Sequence, residues 1–264
     1  MDKMRKRFLK KLPTSRQVCF TLFLLLPFIL IIYSENLVAS ELKFPFEVGE
    51  KLVYRATLGL FTVGDATIKV LPGDGLMGTK SYHFVMQTNT NSLVNWFYRV
   101  HETQESYTDW NMSRTLAYEK RDTGTHPRDI SARFDWNRLT ATYVNEGKDE
   151  KTVAIIPGTF DPLALFFVIR TKTLLVGDII EIPFTDGKKL IQARASVLRR
   201  ERITIDGKSY DTFLVVPDLK QLGEAMDTKK TADLMIWFGA DEKKMPIKIS
   251  SQLAVGRFVL ELVP

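Results

Sequence analysis

Runs in which apolar side chains recur at every second position dominate the chain after its first forty residues, the period of a strand with one face buried. Ile130, Ala132, Phe134 and Trp136 alternate with the polar Ser131, Arg133 and Asp135. The same spacing runs through Leu52/Tyr54/Ala56/Leu58, Tyr82/Phe84/Met86, Ala232/Leu234/Ile236/Phe238 and Met245/Ile247/Ile249, with many β-branched and aromatic members. Turn residues separate these runs: Pro72-Gly73-Asp74-Gly75, Asn145-Glu146-Gly147, Asp186-Gly187, Asp206-Gly207 and Gly239-Ala240-Asp241. Their spacing suits hairpins and disfavours βαβ units. The pattern predicts a mainly β protein of roughly a dozen strands. The strands should form an antiparallel meander, rolled into a curved sheet or incomplete barrel.

Two stretches leave the strand period. Thr159-Phe160-Asp161-Pro162 offers a helix cap followed by proline in the first turn, and no turn residue interrupts Leu163 to Ile169. One short helix is predicted near 161–171. Its apolar residues face every direction, so it should be buried, lying in the concavity of the sheet. Asn91 to Phe97 predicts a second helical turn carrying Leu93, Val94, Trp96 and Phe97. Gly78–Val85 is locally similar to Gly207–Leu214, which makes the helix a hinge between two sheet segments of one domain.

The first forty residues follow another plan. A basic stretch from Lys3 to Arg16 precedes an apolar run from Val18 to Tyr33 and a small-residue exit at Val38-Ala39-Ser40. That is the layout of a secretory signal. The run is short for a membrane span and holds Pro27, so 1–40 is read as a signal peptide, with an uncleaved signal anchor as the alternative. Residues 41–264 are read as a single β-rich domain. The expected location is periplasmic or otherwise exported; the alternative is anchorage to the inner membrane, facing the periplasm.

This division changes the charge. The whole chain carries 37 Lys+Arg against 31 Asp+Glu, but residues 1–40 hold seven of the former and two of the latter. What remains is 30 against 29, and no basic stripe appears, so a nucleic-acid partner is not expected. Cys19 is the only cysteine and lies in the signal, which removes disulfide, thiol and Cys-metal chemistry from the domain.

Four segments, Phe46–Tyr54, Gly64-Asp65-Ala66, Phe160–Ala164 and Ile236-Trp237-Phe238 through Asp241, Pro246 and Gly256, together resemble an exported bacterial family catalogued as domain of unknown function 3108. The resemblance implies an envelope β protein with an open or incomplete barrel and supplies no catalytic residues. Read physically, Gly49 and Gly64 suit positive φ or close backbone approach, and Trp237 suits a core anchor.

Candidate chemistry is sparse. His83, His101 and His126 do not stand at metal-ligand spacing. Asp122-Thr123-Gly124 spells the aspartic-protease triplet once, after Glu119-Lys120-Arg121 where an apolar strand is needed; turn chemistry explains it better. No Gly-x-Ser-x-Gly is present, and Gly73–Gly78 joins two strands where a dinucleotide loop joins a strand to a helix. No catalytic residue, metal or cofactor is assigned.

Apolar surface remains. The sequence points to a non-enzymatic envelope protein binding a lipid or lipid-linked glycan, with Trp96, Phe97, Phe166, Phe167 and Trp237 as candidate ligand contacts. The alternative is a scaffold that docks an envelope protein by strand addition at a sheet edge, for which the two-faced polar stretch Arg99 to Asp109 is the candidate. A hydrolase is a distant third.

Overall fold

The computed structural model describes residues 43–73, 80–218, 233–253 and 255–264. Residues 1–40, which the sequence reads as a signal peptide, most of the loop after Gly73, and Ala232 lie outside the described residues. Phe44–Pro264 form one compact unit.

Among the described residues fourteen strands make one sheet in the order β8-β7-β6-β5-β4-β3-β2-β1-β14-β13-β12-β11-β10-β9. On the N-terminal side these are β1 (Lys51–Leu58), β2 (Phe61–Gly73), β3 (Ser81–Thr90), β4 (His101–Asp109), β5 (Thr115–Asp122), β6 (Arg128–Asp135), β7 (Thr140–Asn145) and β8 (Lys148–Ala154). On the C-terminal side are β9 (Ile179–Thr185), β10 (Leu190–Ile205), β11 (Lys208–Pro217), β12 (Leu234–Gly239), β13 (Pro246–Leu253) and β14 (Gly256–Leu262). Each strand pairs antiparallel with its sequence neighbour, and β14 closes back on β1 with Tyr54 opposite Leu262. The ladder is broken only between β8 and β9, where the chain leaves the sheet to form a helix. The result is the antiparallel meander the sequence predicts, not closed into a barrel.

Turn chemistry sets the hairpins. Glu146-Gly147 and Asp206-Gly207 both take positive φ in two-residue turns, the geometry whose twist matches the flanking strands. Gly49 has φ 99°, whereas Gly64 is needed for close approach: a Cβ there would stand 2.0 Å from the Asn89 carbonyl oxygen. Gly64→Ala is therefore expected to cost about 1 to 3 kcal/mol in denaturant unfolding, because β2 and β3 must move apart.

Helix α1 (Ser92–Asn95) is the turn predicted after β3; Asn91 caps it, its side chain accepting from Val94 N at 3.0 Å. Helix α2 (Ala164–Thr171) fills the inner face. The turn ahead of it is held by Asp161, whose Oδ1 accepts from Leu163 N at 2.8 Å and Ala164 N at 3.0 Å. Phe167 stacks on Phe84 of β3 at 3.7 Å and meets Phe46 edge-on. Phe160, just upstream, bridges to Phe184 of β9, the strand at the far end of the order. The sheet therefore wraps around the helix. Ala164, Leu163, Phe167, Val168 and Ile169 share one core with Tyr54, Ile68, Phe134, Ile182, Phe238 and Ile249.

A buried ion pair ties this helix to the chain before β1. Arg170 is only 1% exposed. Its guanidinium donates to both Glu50 carboxylate oxygens, at 2.6 and 2.9 Å, and to the carbonyls of Pro45 and Lys243. The Lys244 ammonium returns a bond to the Arg170 carbonyl. Nearby, the Tyr54 hydroxyl donates to Pro246 O at 2.8 Å, and burial keeps it protonated.

One expectation is corrected here. The stretch Arg99 to Asp109 is not a sheet edge: β4 pairs with β3 on one side and β5 on the other along its length. Its inner-facing polar residues are explained by buried partners: Ser106 donates to Asp161 Oδ2 at 2.5 Å, from 55 positions away, and Thr108 donates to the sulfur of Met112, in the turn that follows the strand. The edges are β8 and β9.

Candidate functional site

Strand direction brings three turns to one end of the sheet. Leu58 opposite Phe61, Gly64 opposite Thr90, and Leu58 opposite Phe258 place the β1–β2, β3–β4 and β13–β14 connections side by side. Backbone bonds lock them: Gly59 N donates to Arg257 O and Asn91 N to Val63 O. Hairpin tips are ordinarily polar, yet these carry Leu60 (98% exposed), Phe61, Leu93, Trp96 (87%), Phe97 (84%) and Val255. Together they form an apolar rim.

Behind the rim the inner face turns polar at β4 and β5. The row Ile68–Met86–Gln104–Lys120–Ile130–Asn145 is in register across six strands and lies one step outward from the core row of Phe84, Ser106, Tyr118 and Ala132. Glu102 lies on the same face, one step nearer the rim. Lys120 Nζ meets Glu102 Oε2 at 2.8 Å, Gln104 Nε2 donates to Glu102 Oε1 at 2.6 Å, and the Tyr118 hydroxyl donates to Gln104 Oε1 at 3.1 Å. Burial raises the Tyr118 pKa, assisted by the charges of Asp161, Glu102 and Asp186, so this hydroxyl stays a donor. Glu102 and Lys120 are half-buried, and each keeps hydrogen-bonding capacity beyond this chain of contacts. Deeper still, Asp161 is fully buried and accepts from Ser106, Thr115 and two backbone amides. Burial raises its carboxyl pKa against those bonds.

The five residues singled out in the sequence do not converge. Trp96 and Phe97 stand on the rim. Phe166 is partly buried against the core, and Phe167, 2% exposed, belongs to it. Trp237 falls on the outer face, because its neighbours Ile236 and Phe238 face inward; its indole donates to Glu201 Oε1 at 2.8 Å. Leu60, Phe61, Leu93, Val255 and the Glu102–Gln104–Lys120 chain were not picked out in the sequence. The signal that could have found the rim is a run of large apolar residues at a turn, as in Gly59-Leu60-Phe61.

The histidines are scattered: His83 bonds Glu105, His101 bonds Asn89, and His126 lies against Tyr98. Among the described residues no group of three His, Cys, Asp or Glu could hold a metal ion. Asp122 Oδ1 accepts from His101 N and Gly124 N, which is turn chemistry.

The family described as "Protein of unknown function (DUF3108)" matches residues 53–263. The chain belongs to this family. Its members carry no assigned activity in that description. The fold is shared with a solved beta-barrel-like protein of domain of unknown function DUF1849 from Brucella abortus, at 9% identity and a TM-score of 0.51, over 81% of this chain and 94% of that one. The lipoprotein LppX of Mycobacterium tuberculosis also matches, at 12% identity over 81% and 84% of the two chains; its TM-score of 0.26 is too low to carry an argument. No curated protein matches the chain.

Proposed function

We propose that this protein is a non-enzymatic, exported binding module for an amphiphile of the cell envelope, a lipid or a lipid-linked glycan. One observation carries the reading: a half-buried row of hydrogen-bonding side chains, Glu102, Gln104 and Lys120, lies directly behind an exposed apolar rim. A molecule with a polar head and apolar chains matches that order of surfaces, the head bonding to the row and the chains covering Trp96 and Phe97. Phe166 and Phe167 support the site from behind by filling the concavity.

Strand addition by a protein partner is less favoured. The β8 edge, Lys148-Asp149-Glu150-Lys151-Thr152-Val153-Ala154, is charged and almost wholly exposed, a composition that discourages pairing. The β9 edge contains Pro183 and is partly occupied, since Phe160 N donates to Pro183 O and Thr185 N to Phe160 O.

Native mass spectrometry of the full chain, expressed in a bacterial host, tests the reading. A lipid adduct near one per protein is expected, and Lys120→Met should lower it about tenfold, the loss of one charge-assisted hydrogen bond. Unchanged lipid content in a folded Lys120→Met variant would sink the proposal.

A further inference from the structure

We infer that the apolar rim docks the protein on an anionic bilayer surface, with Trp96 and Phe97 seated among the lipid chains. The inference rests on the reading that the rim meets lipid, and adds that it does so while the lipid is still part of a membrane.

The first argument is exposure. A wall of a shaped groove shows partly covered side chains, whereas Leu60, Trp96 and Phe97 stand almost wholly free on neighbouring turns. Free-standing apolar tips suit penetration of a fluid phase better than a fitted contact. Their chemistry agrees: Trp96 and Tyr98 supply amphipathic rings that favour the boundary between headgroups and chains, and Phe97 between them adds a purely apolar one.

The second argument is charge. The three turns, residues 59–64, 91–100 and 253–257, contain Arg99 and Arg257 and no acidic residue. Both arginines are exposed. The nearest acids lie one residue further in or on the adjoining turn: Asp65 on β2, and Asp122, whose Oδ1 already accepts two backbone amides. Arg128, at the start of β6, stands opposite Asp122, and Asp129 beside it pairs with Arg121 at 3.4 Å, so the adjoining β5–β6 turn is charge-balanced and the excess rests on Arg99 and Arg257. Two exposed arginines among apolar tips complement an anionic headgroup layer, and their long side chains reach the phosphates while the tips insert.

The geometry also orients the molecule. Docked by these turns, the Glu102–Gln104–Lys120 row is brought toward headgroup depth, and β8 and β9, the sheet edges, point along the membrane plane or away. Among the described residues no helix is long and apolar enough to cross a membrane.

Tryptophan emission provides the test on the full chain. Trp110 and Trp136 lie at the opposite end of the sheet, after β4 and β6, and Trp237 is buried, so quenching by brominated acyl chains reports Trp96. Vesicles of brominated phosphatidylglycerol with phosphatidylethanolamine should quench the emission, and the quenched component should vanish in Trp96→Phe. Arg99→Gln and Arg257→Gln should each weaken vesicle binding about fivefold. Because quenching requires contact with the chains, tethering through the N-terminal apolar run cannot imitate it. Absence of quenching, or equal quenching in phosphatidylcholine vesicles, would overturn the inference. A Trp96 shift that follows protein concentration without vesicles would also overturn it, by assigning the rim to a second copy. A lipid adduct in the mass spectrum without quenching would leave the amphiphile reading standing and remove only the docking.

Discussion

Replacing Arg170 by alanine is expected to lower the stability of the fold by about 3 to 5 kcal/mol, the cost of leaving one partner of a buried ion pair alone. The carboxylate of Glu50 would remain with its charge uncompensated, and the carbonyls of Pro45 and Lys243 would lose their donor. Urea unfolding would register this as a lower midpoint at unchanged slope. Since the penalty is mainly that of the stranded charge, combining Arg170→Met with Glu50→Leu should recover most of the loss. A single variant that unfolds within about 1 kcal/mol of the parent, the worth of a surface pair, would show that water reaches the clamp.

Asp161→Ala should cost about as much, roughly 3 to 5 kcal/mol, because it strips acceptors from Ser106, Thr115, Leu163 N and Ala164 N at once. The pH dependence separates the charge from the cap. Burial lifts the Asp161 carboxyl above its ordinary value, so the folded protein holds this proton more tightly than the unfolded chain. The stabilising contribution of that proton is complete below the unfolded value and is lost as pH rises through the folded one. An asparagine at this position would keep an acceptor for the helix start and carry no such titration. The disadvantage of Asp161→Asn relative to the parent should therefore be larger at acid pH and shrink as pH rises, measured by thermal unfolding across that window. A disadvantage that grows with pH would mean that the fold favours the carboxylate, its hydrogen bonds outweighing burial.

The strands and the buried helix were legible because their periods are local properties of the chain. Asp161-Pro162 announces a helix start in any context, and Glu146-Gly147 and Asp206-Gly207 admit little but a tight hairpin. What escaped depends on partners distant in sequence. Arg99 to Asp109 reads as an edge because both faces are polar; only the arrival of Asp161 opposite Ser106, from 55 positions away, makes that face suitable for the interior. Arg170 gave no sign of burial, since Glu50 lies 120 positions away. Trp237 is the instructive case. The alternation Leu234/Ile236/Phe238 already set it on the other face, but its size argued for the core, and Glu201 and Lys248 supply cover on the outer surface that periodicity does not reveal. The rim was half visible: Trp96 and Phe97 stood out as a cluster, whereas Leu60 and Val255 joined them only through strand register.

The pairing of β14 with β1 has a bearing on when the protein can fold. Until Leu262 lies against Tyr54, both β1 and β13 present a bare row of amide and carbonyl groups, and the two sheet segments have no shared ladder. The final contact to form along the chain thus joins residues separated by about two hundred positions, the kind of long loop closure that slows folding. A chain emerging from a ribosome or a translocation pore, N-terminus first, cannot complete its sheet before its last strand is released. It stays unfinished, and dependent on whatever guards unpaired strands in its compartment, for the whole of its synthesis or passage.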